Sequence, residues 1–296
     1  MVPPPDQDRD FPLWLVIVAV TGLYLFWEVV STEIYADVLR TLAKGMGVTV
    51  IVTVIAYSFA CLLGLGLALA QLSSVYLLRQ AARLYVEVMR GIPIIVLLLY
   101  VAFVFVPALV WLWGLLDTCL AAPGDCLRGM APEGWLGAPL RGLAPALDGF
   151  SLDLPEMTTR DVPLLWRAVI ALTLAYASFL AEVFRAGLLA VPKGQIEAAR
   201  ALGLNRWQRF RHVSFPQAFR LILPPLGNDF VAMVKDSSLV SVLGVTDITQ
   251  LGKVTAAGNF RYFETYNVVA LIYLTMTIGL SLALRRLEKR LRARSR

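Results

Sequence analysis

Charged side chains are scarce in this sequence, and histidine is almost absent. Asp, Glu, Lys and Arg make up only 16% of the 296 residues, and His212 is the single histidine beside three cysteines. One histidine cannot build a histidine-rich zinc site, and no nucleophile–base set is recognisable. We therefore predict no catalytic residues and no metal site, which argues against an enzyme.

A phosphate-binding loop is also missing. Gly252-Lys253 is followed by Val254, and Asp247 stands where the first glycine of such a loop is needed. The spacing that lets backbone N–H groups surround phosphates is therefore not present. We predict that the chain holds no cofactor of its own.

Long apolar segments dominate what remains. Hydrophobic residues make up 58% of the chain, which excludes an ordinary soluble globular protein. Segments of roughly 20 apolar residues are long enough to cross a bilayer as helices. About six such segments are present: Phe11–Val30, Gly45–Ala70, Gly91–Leu116, Ala168–Ala190, Leu221–Val245 and Val268–Leu284. The sequence predicts an all-α integral membrane protein.

The first of these segments is expected to be a span rather than a cleaved signal peptide. Acidic residues precede it, and no small-residue cleavage site follows. In the second segment, small residues recur at intervals of four and predict close helix packing: Ala56, Ala60, Gly64 and Ala68.

Basic residues are concentrated in two short regions. Lys193–Arg220 holds six, and Arg285–Arg296 holds seven. Beside membrane spans such clusters indicate cytoplasmic segments rather than nucleic-acid binding. We therefore expect a cytoplasmic C-terminus, and counting back along the spans places residues 107–163 outside.

The first basic region contains the most specific motif of the chain. Glu197-Ala198-Ala199 is followed after three residues by Gly203, and after nine more by Val213-Ser214-Phe215-Pro216. This spacing resembles the EAA loop of ABC importer permeases, with Val213 and Phe215 as substitutions for Ile and Leu. Small alanines permit close approach of another backbone, and Gly203 permits a tight turn. The resemblance implies that residues 191–218 form a cytoplasmic coupling loop that docks on an ATPase.

Further stretches resemble the polar amino acid branch of these permeases, the histidine, glutamine and glutamate type. They are Tyr85–Pro93, Ala181–Gly187, Val191–Gln195, Gly227–Phe230 and Lys235–Leu239. The resemblance implies a type I importer fold and a multi-pass protein of the bacterial inner membrane. It also implies an ATPase dimer carrying ATP and Mg, a second permease subunit of the same or a related kind, and an external amino-acid-binding protein. An ATPase-independent secondary transporter or channel is the alternative, but it leaves the EAA spacing unexplained.

The chain departs from the compact five-span pattern of this branch in two places. Residues 1–40 are expected to form an additional N-terminal helix and an interfacial stretch before the permease domain, residues 41–296. Residues 107–163 are expected to form an external insertion between the third and fourth spans. Cys119 and Cys126 lie in this insertion, where a disulfide and two free thiols are about equally supported. Cys61 lies in a span and is expected to be a packing residue.

Four polar residues within the spans are candidates for the substrate path. Glu182, with Ser178 one turn earlier, either faces the path or pairs internally with Arg185. Asn228 and Asp229 follow Pro224-Pro225, where a broken helix is expected to expose backbone groups to a cavity. A zwitterion needs acceptors for its ammonium and donors for its carboxylate, and these side chains offer both.

Overall fold

The computed structural model describes residues 13–123, 125–126, 142, 144–146 and 154–293, and these residues are almost entirely helical. The predicted all-α fold is therefore confirmed for this part of the chain. In chain order the helices are α1 (Leu13–Ser31), α2 (Glu33–Gln71), α3 (Tyr76–Gly91), α4 (Ile94–Tyr100), α5 (Val106–Ala121), α6 (Leu164–Leu189), α7 (Lys193–Ala201), α8 (Arg206–Arg209), α9 (Phe215–Asp236), α10 (Ile248–Asn259) and α11 (Tyr262–Ala293).

Four helical segments of the described residues are long and apolar enough to cross a membrane. They are Glu33–Gln71, Ile94–Ala121, Leu164–Leu189 and Tyr262–Leu287. Helix α1 coincides with the predicted first span. The predicted fifth span, Leu221–Val245, is divided between α9 and the residues that follow it. The count of six spans stays a prediction.

The third span is longer than the sequence indicated. A π-helical turn, Val101–Phe105, joins α4 to α5, and Pro107 lies in the first turn of α5. Proline has no N–H to donate to a preceding carbonyl, and the wider turn accommodates this loss without ending the helix. The predicted start of the insertion at residue 107 therefore falls inside a helix that continues to Ala121.

The small residues of α2 pack against α6, as predicted. Ala56, Ala60, Gly64 and Ala68 are all buried. A Cβ atom on Gly64 would lie 3.0 Å from the Ala177 carbonyl oxygen and 3.0 Å from the Leu180 Cβ atom. This close approach places α6 in the centre of the bundle, where 12 of its 26 residues are buried.

The break expected at Pro224-Pro225 does not occur. Helix α9 runs through both prolines, because contacts on either side hold it in place. Ile222 lies against Gly187 of α6, and the Tyr57 hydroxyl donates to the Leu226 carbonyl at 2.6 Å.

The helix breaks further along the chain, where there is no proline. A 3₁₀ segment, Ser237–Leu243, ends at Gly244, whose φ is +79°. Asp247 then caps α10 by accepting a hydrogen bond from the Gln250 N–H at 2.8 Å. Left-handed backbone at a glycine is a common end for a helix, so the two helices remain separate.

Helices α9 and α10 together lie alongside α2 in the opposite direction. Phe230 and Val234 share a groove with Val50 and Thr53. Further along, Ile248 meets Gly45, and Asn259 of α10 lies near Ile34, where α2 begins. The two helices therefore form one discontinuous segment beside a continuous one.

The end of the predicted insertion is tied to the bundle by Arg167 at the start of α6. Its guanidinium donates to the carbonyls of Thr159, Val162 and Ala102. The Ala102 carbonyl belongs to the π-helical turn, where Pro107 has no N–H to offer it. Beside this anchor, hydrogen bonds from Thr158 hold the pKa of Asp161 below its ordinary value.

Candidate functional site

The coupling loop predicted from the EAA spacing forms two short helices. Helix α7 follows Pro192 and carries the Glu-Ala-Ala sequence. Glu197 and Ala198 are exposed, whereas Ala199 is buried. Two of the three motif residues are therefore available to another protein, and the third packs within this chain.

Gly203 forms the turn that the sequence predicted. Its φ is +77°, a conformation that side chains disfavour. The Gly203 N–H donates to the Arg200 carbonyl at 3.0 Å, and the Leu204 N–H donates to the Ala199 carbonyl at 3.2 Å. This pair of bonds is the Schellman motif, which satisfies the last carbonyls of a helix. The turn thus fixes the direction in which the chain leaves α7.

A capping box fixes the start of α8, and the sequence reasoning missed it. The Gln208 N–H donates to the Asn205 side chain at 2.9 Å, and the Gln208 side chain accepts from the Asn205 N–H at 2.9 Å. Asparagine followed three residues later by glutamine is a recognisable signal for a helix start. The two helices of the loop are therefore locked by local hydrogen bonds at both sides of the turn.

A π-helical turn, Phe210–Ser214, joins α8 directly to α9. Val213 lies in this turn, and Phe215 and Pro216 begin α9. An aromatic row follows the same path, with successive ring centroids 5.9, 5.8 and 5.8 Å apart: Trp207, Phe210, Phe215 and Phe219. The coupling loop is thus continuous with the helix that carries Asn228 and Asp229.

The two candidates on α6 have different surroundings. Ser178 is fully buried, and its hydroxyl donates to the Ala175 carbonyl at 2.6 Å. Glu182 accepts hydrogen bonds from Arg185 Nη2 at 2.6 Å and from Arg185 Nε at 3.1 Å. The internal ion pair that the sequence left open is therefore present.

Asp229, unlike Asn228, has interactions with a polar group that the sequence did not reveal. Asn228 is exposed and Asp229 is half-buried. Asp229 interacts electrostatically with Tyr57 and Tyr176, and Tyr176 donates to Asp236 at 2.7 Å. Tyrosine hydroxyls within spans are the signal that could have found this group.

The four candidates do not form one contact cluster. Glu182 contacts Arg185 and interacts with Gln71 and Arg90, whereas Asp229 interacts with Tyr57, Cys61 and Tyr176. Among the described residues, no hydrogen bond or ion pair joins Glu182 to Asp229. The same residues contain no group of three or more potential metal ligands. What they offer is acceptors and donors within otherwise apolar helices.

Comparison with known proteins gives the same picture of the fold. The chain is 30% identical to the probable amino-acid permease protein YxeN of Bacillus subtilis (strain 168), over 84% of this chain and 90% of that protein. It is 44% identical to the glutamine transport system permease protein GlnP of Escherichia coli (strain K12) over 125 residues, which are 42% of this chain and 57% of that protein.

A crystal structure of an amino acid ABC transporter contains a chain that is 31% identical, with a TM-score of 0.62 over 85% of this chain and 94% of that one. The methionine ABC transporter MetNI shares the fold at 19% identity, with a TM-score of 0.57 over 84% of this chain and 95% of that one. The EAA motif belongs to this type of permease, in which ATP is hydrolysed on a separate subunit.

Residues 60–293 match the profile of the family described as the inner membrane component of binding-protein-dependent transport systems. The chain belongs to this family and is the permease subunit of an ABC importer.

Proposed function

We propose that this chain carries amino acids of the polar or charged type across the bacterial inner membrane by alternating access. The observation that carries the proposal is the coupling loop, whose Glu197 and Ala198 are exposed on a helix fixed by local caps. The names of the relatives, which include an amino-acid and a glutamine permease, support the substrate class.

Residues 191–218 dock on one subunit of an ATPase dimer, which binds ATP and Mg. Exposed apolar side chains supply contact area around Glu197, with Leu202 81% and Trp207 64% exposed. Aromatic side chains in such positions commonly provide a large share of binding energy. Docking at this loop puts the C-terminus, with its seven basic residues in Arg285–Arg296, on the cytoplasmic side as well.

A second permease subunit covers the open face of α9. Asn228 and Lys235 lie seven residues apart, so they share one face of this helix, and both are exposed in the single chain. An exposed amide and ammonium are costly against lipid. A second copy of the chain, or a related permease, would enclose a polar path between the two subunits.

The substrate enters this path from an external amino-acid-binding protein. Asp229 offers an acceptor for the ammonium group, and the Asn228 amide offers a donor for the carboxylate. Ser178 and Glu182 support the path from α6. Unpaired polar groups in such a site would cost several kcal/mol, so the side chains must match the ligand.

Copurification and uptake test the proposal together. Cells that express the chain with its ATPase should take up radiolabelled amino acids, and the ATPase should remain bound to the purified chain. Uptake that persists when no ATPase is bound would favour a secondary transporter or channel instead.

Cys61 supplies a second test, because it is a half-buried free thiol beside Tyr57 and Asp229. Amino acid in the path should slow alkylation of Cys61 by maleimide, with Cys61→Ser as the unlabelled control. An alkylation rate that no transported amino acid changes would place the path away from Asp229.

A further inference from the structure

An open cavity lies at the end of the bundle where α2 begins. Its volume is about 290 Å³, close to the lower limit for small-molecule sites. The start of α2, the end of α10 and the residue before α11 form its lining, which we call the α2–α10 cavity: Ile34, Asp37, Val38, Thr41, Thr255, Asn259 and Arg261. Five of these seven residues have polar side chains, so the cavity favours a polar ligand.

The junction between α10 and α11 supplies two hydrogen-bond donors to the α2–α10 cavity. Asn259 Oδ1 accepts from the Arg261 N–H at 2.9 Å, which leaves the side-chain NH₂ group of Asn259 as a donor. The Arg261 guanidinium has no hydrogen bond or ion pair among the described residues. A guanidinium group beside an amide donor suits an anion with several oxygens, such as a phosphate.

Phe260 holds these two donors together through an unusual backbone conformation. Its φ is +58°, which a bulky side chain rarely adopts. Strained residues of this kind persist where the surrounding structure fixes them, and they are common at ligand sites. The turn brings Asn259 and Arg261 to the same cavity, although Phe260 stands between them along the chain.

Helix α2 supplies hydrogen-bond acceptors from the other side of the α2–α10 cavity. Asp37 Oδ1 accepts from Arg40 at 3.2 Å, and both side chains are exposed. Such an exposed ion pair contributes little, and the second carboxylate oxygen of Asp37 accepts no hydrogen bond among the described residues. The Thr41 hydroxyl donates to the Asp37 carbonyl at 3.0 Å, so its oxygen remains an acceptor. A carboxylate and a hydroxyl together suit a primary ammonium group.

The α2–α10 cavity lies far from the coupling loop. Helices α2 and α6 run parallel, since Thr173 contacts Ala56 and Ala177 lies beside Gly64. Helix α6 leads into the coupling loop, so this loop is near the end of α2. The 39 residues of α2 extend over roughly 58 Å, which puts the cavity at the opposite membrane surface.

Exposed aromatic side chains place the cavity at the level of the lipid headgroups. Trp27 is 71% exposed near the end of α1, and only Thr32 separates that helix from α2. Beside Arg261, Tyr262 is 51% exposed and Phe260 is 81% exposed. Tryptophan and tyrosine are enriched where a membrane meets water. A lipid headgroup is therefore the polar ligand that this position offers.

We propose that the α2–α10 cavity binds the headgroup of phosphatidylethanolamine at the membrane surface away from the coupling loop. The phosphate accepts from the Arg261 guanidinium and the Asn259 amide. The ammonium group donates to the Asp37 carboxylate and the Thr41 hydroxyl, and the acyl chains extend into the bilayer. Charge-assisted hydrogen bonds of this kind are stronger than neutral ones. The bound lipid thus joins the start of α2 to the junction between α10 and α11.

Lipid binding to the full chain, purified in detergent with its partners, tests this site. Native mass spectrometry at graded lipid concentrations compares phosphatidylethanolamine with phosphatidylcholine, whose ammonium group has no N–H. We expect the unaltered chain to bind phosphatidylethanolamine about tenfold more tightly. Asp37→Asn should abolish this preference, because it removes the charge that faces the ammonium. Arg261→Gln should weaken the binding of both lipids by about tenfold, because both have the phosphate.

Two variants outside the α2–α10 cavity are the matched controls. Glu33→Gln removes an exposed carboxylate from the same helix as Asp37, and Arg83→Gln removes an exposed guanidinium elsewhere. Both should bind the two lipids as the unaltered chain does. Equal binding of the two lipids by the unaltered chain would overturn the proposal, and so would a preference that survives in both Asp37→Asn and Arg261→Gln.

A free amino acid also combines an ammonium group with an anion, so the measurement is repeated with L-glutamine, L-glutamate and L-arginine. We expect the bound lipid to remain. Its displacement by one of them, absent in Arg261→Gln, would identify an entry site for the substrate and overturn the lipid proposal. Lipid binding is measured without transport, so a lack of amino acid uptake by cells would remove the proposed function alone.

Discussion

In the coupling loop, the hydrogen bonds that fix Gly203 and Asn205 join residues no more than five positions apart. The polar residues inside the bundle are held differently. Tyr176 reaches Asp236 across 60 positions, and Tyr57 reaches Leu226 across 169. The loop is fixed by its own sequence, and the interior is fixed by the way distant helices pack.

This difference separates the two tasks of a permease. A surface that must fit a partner keeps Glu197 and Ala198 exposed on a helix whose end is fixed by local hydrogen bonds. A path through apolar helices needs polar groups whose surroundings can rearrange with the helices. We expect substitutions in the loop to act on coupling with little effect on folding, and substitutions in the interior to act on both.

The largest effect is expected from Glu197→Lys, which reverses the charge on the exposed face of α7. If an attractive charge pair at the interface becomes a repulsive one, ATPase binding should weaken by about tenfold or more. Gln195→Lys introduces the same side chain on the other side of the same helix and is the control. Copurified ATPase and uptake are measured for both. Wild-type uptake with bound ATPase in Glu197→Lys would place the contact elsewhere.

The interior is tested by Gly45→Ala on α2. A Cβ atom there would lie 2.6 Å from the Ile248 backbone nitrogen, whereas the space around Gly47 is open. Overpacking costs about 1–3 kcal/mol, so Gly45→Ala should lower the thermal unfolding temperature in detergent and Gly47→Ala should not. Equal unfolding temperatures would show that α10 can move away from α2 at no cost.

The contrast between local and long-range contacts explains which structural features could be predicted from the sequence. The EAA helix and the turn at Gly203 were predictable, because both are encoded within a few residues. The continuity of α9 through Pro224-Pro225 was not, because contacts from Tyr57 and Gly187 override a strong local signal. The break at Ser237–Leu243 does have local signals in Gly244 and the Asp247 cap, although the sequence was interpreted as one span over Leu221–Val245.

The candidate substrate path shows most clearly that contacts between distant helices cannot be predicted from local sequence. Glu182 and Arg185 are three residues apart, and their pairing was among the alternatives considered from the sequence. The group formed by Tyr57, Tyr176 and Asp229 joins three helices, so no spacing along the chain could indicate it. The same holds for Gln71 and Arg90 beside Glu182.

A smaller effect is expected from Gly203→Ala in the coupling loop. A side chain at φ +77° costs about 1–2 kcal/mol, and it should disturb the direction of the chain after α7. Gly194→Ala, in the open first turn of α7, is the control. We expect Gly203→Ala to reduce ATPase stimulation by substrate while leaving the unfolding temperature nearly unchanged. A marked fall in that temperature would mean that the loop is part of the folded core.

Asn205→Ala should have a milder effect at the same turn. Removing the cap of a helix costs about 1 kcal/mol, here by depriving the Gln208 N–H of its acceptor. Asn205→Asp keeps an acceptor and should behave like the unaltered chain. The measurement is uptake at several temperatures, where the Ala variant should fail first. Identical temperature profiles for both variants would show that α7 alone positions the contact.

The smallest effect on transport is expected in the segment between the third and fourth predicted spans, where pairing is again local. The structure joins Cys119 to Cys126 by a disulfide with the two Cα atoms 4.9 Å apart, within the usual range for such bonds. Mass spectrometry after alkylation, with and without reductant, should show both thiols blocked until reduction, and Cys61 reactive throughout. Two free thiols without reductant would contradict the pairing. Replacing both residues by serine should leave uptake unchanged, because neither lies near the coupling loop or Asp229.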